Sequence, residues 1–207
     1  MRIRSSTLIL ISNLLALSVA ASQVTPTTRV TPLLGTWEAV NRSTGGLGST
    51  ISFAPDNTMS FTLGAMVDMK YKRARDSLYI IDPQNGVNAF RISIIRDTLV
   101  MVNEGREQRE TRVGAPIAGA DPVIGQWTYV HYTGVPAFEE YTPGGDFRLR
   151  VPIRTLDGTY ATLGDSAMLH LPGQGDRAVR FVVSADTLQL IWNGQTSRYI
   201  KATPLGR

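Results

Sequence analysis

The sequence predicts an all-β protein, two tandem small antiparallel meander β-barrels of about eight short strands each. Three observations predict it. Apolar and polar residues alternate in segments such as Phe90-Arg-Ile-Ser-Ile94, the period of a half-buried strand. Turn signals recur about every 8–12 residues, the spacing of a sandwich or barrel. Outside the N-terminus no segment carries a helical period.

The elements follow in order. Arg2 and Arg4, an apolar uncharged stretch from Leu8 to Val19 and small residues at Ser18, Ala20, Ala21 and Ser22 have the anatomy of a secretory signal peptide. The stretch is shorter than the roughly 20 apolar residues of a membrane span. Residues 1–22 are therefore expected to be a signal, which implies a secreted or periplasmic protein with no membrane span after its removal. Residues 23–32, with Thr and Pro, read as a polar tether. Residues 33–113 form the first unit, 114–122 (GAPIAGADP) a linker and 123–202 the second unit. Turns in the first are expected at Pro55-Asp56-Asn57, Arg75-Asp76, Asp82-Pro83, Asn85-Gly86 and Arg96-Asp97. In the second they fall at Pro143–Asp146, Asp157-Gly158, Gly164-Asp165, Pro172-Gly173 and Asn193-Gly194. Asn193-Gly194 suits a tight hairpin, because both residues tolerate positive φ.

The two units are related by a constant offset. Adding 89 maps Tyr71 onto Tyr160, Asp76-Ser77 onto Asp165-Ser166, Pro83 onto Pro172, Asp97-Thr98-Leu99 onto Asp186-Thr187-Leu188 and Arg109 onto Arg198. From Tyr71 to Val113 this gives twelve identities in forty-three positions without a gap. Upstream the shift changes by about a residue. Gly35-Thr36-Trp37 then meets Gly125-Gln126-Trp127, and Phe53-x-Pro55 meets Tyr141-x-Pro143. A repeat this long is a domain rather than a solenoid turn. A second arrangement has the same repeats in one larger sheet system, with the halves exchanging strands across a pseudo-twofold.

The Gly-x-Trp opening, the Phe/Tyr-x-Pro turn, the mid-unit Tyr, the Asp-Thr-Leu hairpin and the closing cations occur in both units. Together they resemble the small lipocalin-like domains of secreted bacterial proteins, relatives in pattern of the calycin barrels. The resemblance implies that Trp37 and Trp127 each plug a barrel end and that a cation from the last strand lies across each indole, an interaction of about 0.5–2 kcal/mol. Strand parity allows Arg112 and Lys201, or else Arg109 and Arg198. Arg112 and Lys201 are preferred because Tyr199-Ile200-Lys201 resembles the usual closing strand. Small-ligand binding does not follow from such a fold alone. The strands are short, and Phe61, Phe90, Met101, Phe181, Leu190 and Trp192 are expected to point inward and fill much of the interior.

Composition narrows the function classes. The chain has no cysteine, so it has neither a disulfide framework nor a cysteine metal site. Its formal charge of +4 falls to +2 without Arg2 and Arg4. No basic stripe with interleaved aromatics points to nucleic acid. The two histidines, His131 and His170, have no counterparts in the first unit and are expected on strand surfaces, with no metal. Asp165, Ser166 and His170 lie close in sequence, but a triad is defined by geometry. Asp165-Ser166 repeats Asp76-Ser77, and Ile81 stands where the first unit would need a histidine. A hairpin turn is expected there instead. Glu139 and Glu140 are adjacent, so on a strand they face opposite sides, and a solvated edge is expected for them. Thr44–Ser49 (TGGLGS) lacks the residues of a phosphate cradle and is expected to be a mobile rim loop. The basic run Lys70–Arg75 is expected to be solvated, and its counterpart Thr159–Gly164 has no charge. Asn41-Arg42-Ser43 fits a glycosylation acceptor in a eukaryotic host.

These readings predict a secreted, non-enzymatic binding module without a cofactor, acting on a small apolar or amphipathic molecule. The alternative is an extracytoplasmic protein-interaction or inhibitor module with side-chain-filled barrels, so the partner is a small apolar ligand or a protein. An open apolar void of about 300 Å³ or more favours the first. A carboxylate or histidine with a strongly shifted pKa in a cleft favours an enzyme.

Overall fold

A computed structural model describes residues 32–202. The expected signal and most of the tether lie outside the described residues. Fourteen antiparallel strands close into a ring. They are β1 (Gly35–Ala39), β2 (Leu47–Phe53), β3 (Thr58–Ala74), β4 (Ser77–Asp82), β5 (Gly86–Ile95), β6 (Thr98–Asn103) and β7 (Arg106–Val113) in the first half of the chain. In the second half they are β8 (Gly125–Val130), β9 (Pro136–Tyr141), β10 (Asp146–Leu163), β11 (Ser166–Leu171), β12 (Gly175–Ser184), β13 (Thr187–Trp192) and β14 (Gln195–Ala202). No helix among the described residues is long and apolar enough to cross a membrane.

Each half supplies seven strands rather than the expected eight. The difference lies in β3 and β10, which have 17 and 18 residues. Besides their ring neighbours they pair with each other over thirteen positions, from Lys70–Asp146 to Thr58–Thr159. This ladder divides the ring into two closed circuits. One contains β1, β2, the first part of β3, the second part of β10, and β11 to β14. The other contains β8, β9, the first part of β10, the second part of β3, and β4 to β7. Each long strand serves both circuits, so each circuit has eight strand segments.

The cores follow the circuits, not the linker. The first core joins Leu33, Trp37, Ile51, Phe53 and Met59 to Tyr160, Leu169, Phe181, Leu188 and Tyr199. The second joins Tyr71, Leu78, Ile92 and Met101 to Val123, Trp127, Tyr141 and Phe147. Residues 33–113 and 123–202 therefore each contribute to both cores.

Local chemistry explains the crossing. Gly64 on β3 pairs with Pro152 on β10, beside a register shift between Pro152 and Arg154. Proline has no N–H for a ladder and is tolerated at a bulge. A Cβ on Gly64 would meet the Val151 carbonyl oxygen at 2.5 Å, so the two backbones can approach only at glycine. Two tyrosines tie the halves of the chain together. Tyr71 donates to the Thr142 carbonyl at 2.8 Å and stacks edge-on against Tyr141. Tyr160 donates to the Ala54 carbonyl at 2.9 Å and stacks edge-on against Phe53. Beside the crossing, buried Arg150 makes a two-pronged contact with Glu38, both bonds 2.8 Å, and reaches Asp68 at 2.7 Å. Burial alone would raise the Asp68 carboxyl, but Arg150 and Arg42 hold it below its usual range. Asn193-Gly194 has positive φ at both residues, as a tight hairpin requires, and so does Glu104-Gly105.

Candidate functional site

The two tryptophans occupy matching places. Both are fully buried. Trp37 Nε1 donates to the Leu33 carbonyl at 2.7 Å, and Trp127 Nε1 to the Val123 carbonyl at 2.8 Å. The cations cross between halves. Lys201 Nζ lies 5.5 Å from the Trp37 ring and the Arg112 guanidinium 4.1 Å from the Trp127 ring. The expectation that each indole is covered from its own unit is therefore corrected, because β1 pairs with β14 and β7 with β8. Arg109 instead lies outside, paired with Glu107.

An apolar pocket of about 180 Å³ opens into the first core. Ile51, Met59, Leu169, Leu171, Val179 and Leu190 form its walls, with Ser197 and Tyr199 on the closing strand. Arg177, Gln174 and Trp192 also line it. Arg177 stacks on Trp192 with 4.9 Å from guanidinium carbon to ring centroid, and donates to Gln174 Oε1 at 2.9 Å. Of the expected inward residues, Phe181 and Leu190 are buried in this core and Phe61 is half-buried against it. Trp192 is 42% exposed, which corrects its expected role as filler. Met101 and half-buried Phe90 fill the second core.

At matching positions the second core is built differently. Ile51 stands opposite Trp37, and Glu139 stands opposite Trp127. Tyr199 pairs with Leu188 on one strand edge, where Glu110 pairs with Leu99 in the other circuit. So Ile51 and Tyr199 of the pocket are replaced by two carboxyls. Glu110 is 1% and Glu139 4% exposed. The expected solvated edge is thus wrong for Glu139, because β9 lies between β8 and β10 and is not an edge. Glu140 does face the other way and pairs with Arg148 at 3.0 Å.

The carboxyls sit in a chain of polar groups. Tyr141 donates to Glu139 Oε2 at 2.6 Å, and Gln108 donates to Glu110 Oε1 at 2.6 Å. Burial, then the Glu139 charge, push the Glu110 carboxyl up to about 9. Burial also raises Glu139, against the hydrogen bonds from Tyr141, Glu110 and Tyr129 that lower it. A proton retained on Glu110 can be donated to Glu139, which is how two carboxyls share a dry site. Tyr129 and Gln108 also line a broad polar hollow of about 610 Å³ with Arg109, His131 and Tyr132, but neither carboxyl lines it. A general acid must come within hydrogen-bond reach of the group it serves. Gln108 and Tyr129 stand between the hollow and the carboxyls and are hydrogen-bonded to them.

The remaining candidates do not assemble. His170 Nδ1 is 2.5 Å from Asp176 Oδ1, whereas Asp165 binds Ser166 and Arg180. His131 bonds Thr133 and stacks on Tyr132. Among the described residues no group of three His, Cys, Asp or Glu side chains could hold a metal. The glycine-rich segment is a short turn that becomes strand from Leu47, with Gly48 buried, in place of the expected loop. In the basic run, Lys70 pairs with Asp146 and Arg73 with Asp121 of the linker. Sequence reading missed Glu110. Its signal is the offset itself, which sets a charged residue against Tyr199 at an inward position.

Comparison with protein-family models, with curated proteins and with solved structures yields no match to this chain.

Proposed function

We propose that the chain is a secreted, non-enzymatic binding protein whose single ligand site is the apolar pocket of the first core. We further propose that it is a duplicated lipocalin-like unit whose copies have exchanged strands, with Trp37 and Trp127 as end plugs and Lys201 and Arg112 as their covering cations. One observation carries the ligand reading. At positions that the offset relates, one core keeps an open apolar pocket while the other replaces Ile51 and Tyr199 by hydrogen-bonded Glu139 and Glu110. A copy kept open beside a copy sealed with polar groups fits binding at one site per chain. At about 180 Å³ the pocket is smaller than the roughly 300 Å³ where drug-sized sites begin. It still exceeds a ~150 Å³ cavity that takes benzene. The ligand is therefore small.

The interaction-module reading draws on exposed apolar side chains of the β8–β9 hairpin, Val130 and Tyr132. Native mass spectrometry of protein purified from its own host separates the two. A co-purifying small mass at one per chain, lost in a Val179→Phe variant that fills the pocket, is the expected result. A second chain with no small mass would establish the interaction module instead.

A further inference from the structure

The mouth of the pocket carries a charge that the protein leaves uncompensated. On β12, neighbouring side chains face opposite sides. Asp176 faces outward and holds His170, while Arg177 faces the pocket. Arg177 gives one N–H to Gln174 and lies over the Trp192 ring, and no carboxylate among the described residues pairs with it. A guanidinium carries five N–H donors, and Arg177 gives protein one hydrogen bond, to Gln174, so donors remain at an apolar mouth. The matching positions in the first half of the chain, on the second circuit, are Asn88 and Asn103, and Asn103 is used locally, donating to the Ala89 carbonyl at 2.9 Å. The Arg–Trp pair thus belongs to the open core alone.

We propose that the pocket selects small carboxylates bearing a short apolar chain, the carboxylate held by Arg177 and the chain lying between Leu169, Leu171, Val179 and Leu190. This rests on the reading of the pocket as the ligand site. The rigid fork of a guanidinium matches the two oxygens of a carboxylate. The contact with Trp192 and the bond to Gln174 hold the guanidinium in place before the ligand arrives, which lowers the ordering cost of binding. The volume of about 180 Å³ admits a chain of roughly six carbons, judged against the ~150 Å³ that holds benzene.

The test titrates the whole chain with hexanoate and with hexan-1-ol by calorimetry at neutral pH. Hexanoate is expected to bind at least tenfold tighter. Arg177→Gln is expected to remove that advantage, leaving hexan-1-ol within twofold, and Arg177→Lys to restore part of it. Equal affinities in the native chain would overturn the carboxylate assignment and leave the pocket standing. Binding of neither probe would overturn the pocket reading and this inference with it. The native-chain comparison decides even where a variant fails to fold.

Discussion

Glu110 and Glu139 make the folded chain hold protons that the unfolded chain gives up. Both carboxyls are raised by burial, Glu110 to about 9. As pH rises past the ordinary carboxylate range, the unfolded state loses its protons first. Stability therefore falls with rising pH until the folded pair has ionised, near pH 9, with a slope of about 1.4 kcal/mol per pH unit for each proton retained. Denaturant midpoints between pH 5 and 9 are expected to fall accordingly. Glu110→Gln, which keeps the shape and can donate as the protonated acid does, is expected to flatten that dependence and be more stable than the native chain at pH 8.5. An unchanged slope in the variant would contradict the shared-proton arrangement. The two covering cations also differ. Arg112 lies closer to its indole than Lys201 and donates to the Ile124 carbonyl at 3.0 Å. Arg112→Met is expected to destabilise by about 2–3 kcal/mol, since a hydrogen-bonded buried charge is lost, and Lys201→Met by under about 1 kcal/mol. Matched thermal melts check the order.

The element that organises the fold is the β3–β10 ladder, and its weakest point is Gly64. A methyl group there would press on the Val151 carbonyl at 2.5 Å. Gly64→Ala is expected to destabilise by about 1–3 kcal/mol, as overpacking does, whereas Gly86→Ala at an open turn strains only its positive φ. Chemical denaturation of the two variants separates crowding from turn strain. Short strands between strong turn signals were legible in the sequence, and Phe90–Ile94 lies within β5 as its alternation suggests. The long strands were not. Gly64 and Pro152 carry the composition of strand breakers, yet here they sit at the centre of a ladder, where a bulge absorbs the missing N–H. Glu139 misled for a related reason. Its charge suggests solvent, but its place opposite Trp127 turns it toward the second core, whose other walls (Tyr71, Leu78, Ile92 and Met101) come from far away in sequence.

At the scale of the whole molecule, the offset between halves says which residues correspond but not which half closes which circuit. Trp37 can be covered by Arg112 or by Lys201 with the same local chemistry, and only the long ladder decides. The shared cores make a prediction of their own. A protease site placed in residues 114–122 and cut under native conditions is expected to leave both fragments in one complex on gel filtration, because each core draws on both. Separate fragments would mean that the cores divide at the linker. The central claim is that one core binds and the other is sealed. Methyl NMR during a hexan-1-ol titration tests it most directly. Shifts at Leu169, Leu171, Val179 and Leu190 that saturate at one equivalent per chain, with Leu78, Ile80, Ile92 and Leu99 unmoved, are the predicted result. Shifts in the second group, or saturation at two equivalents, would contradict it.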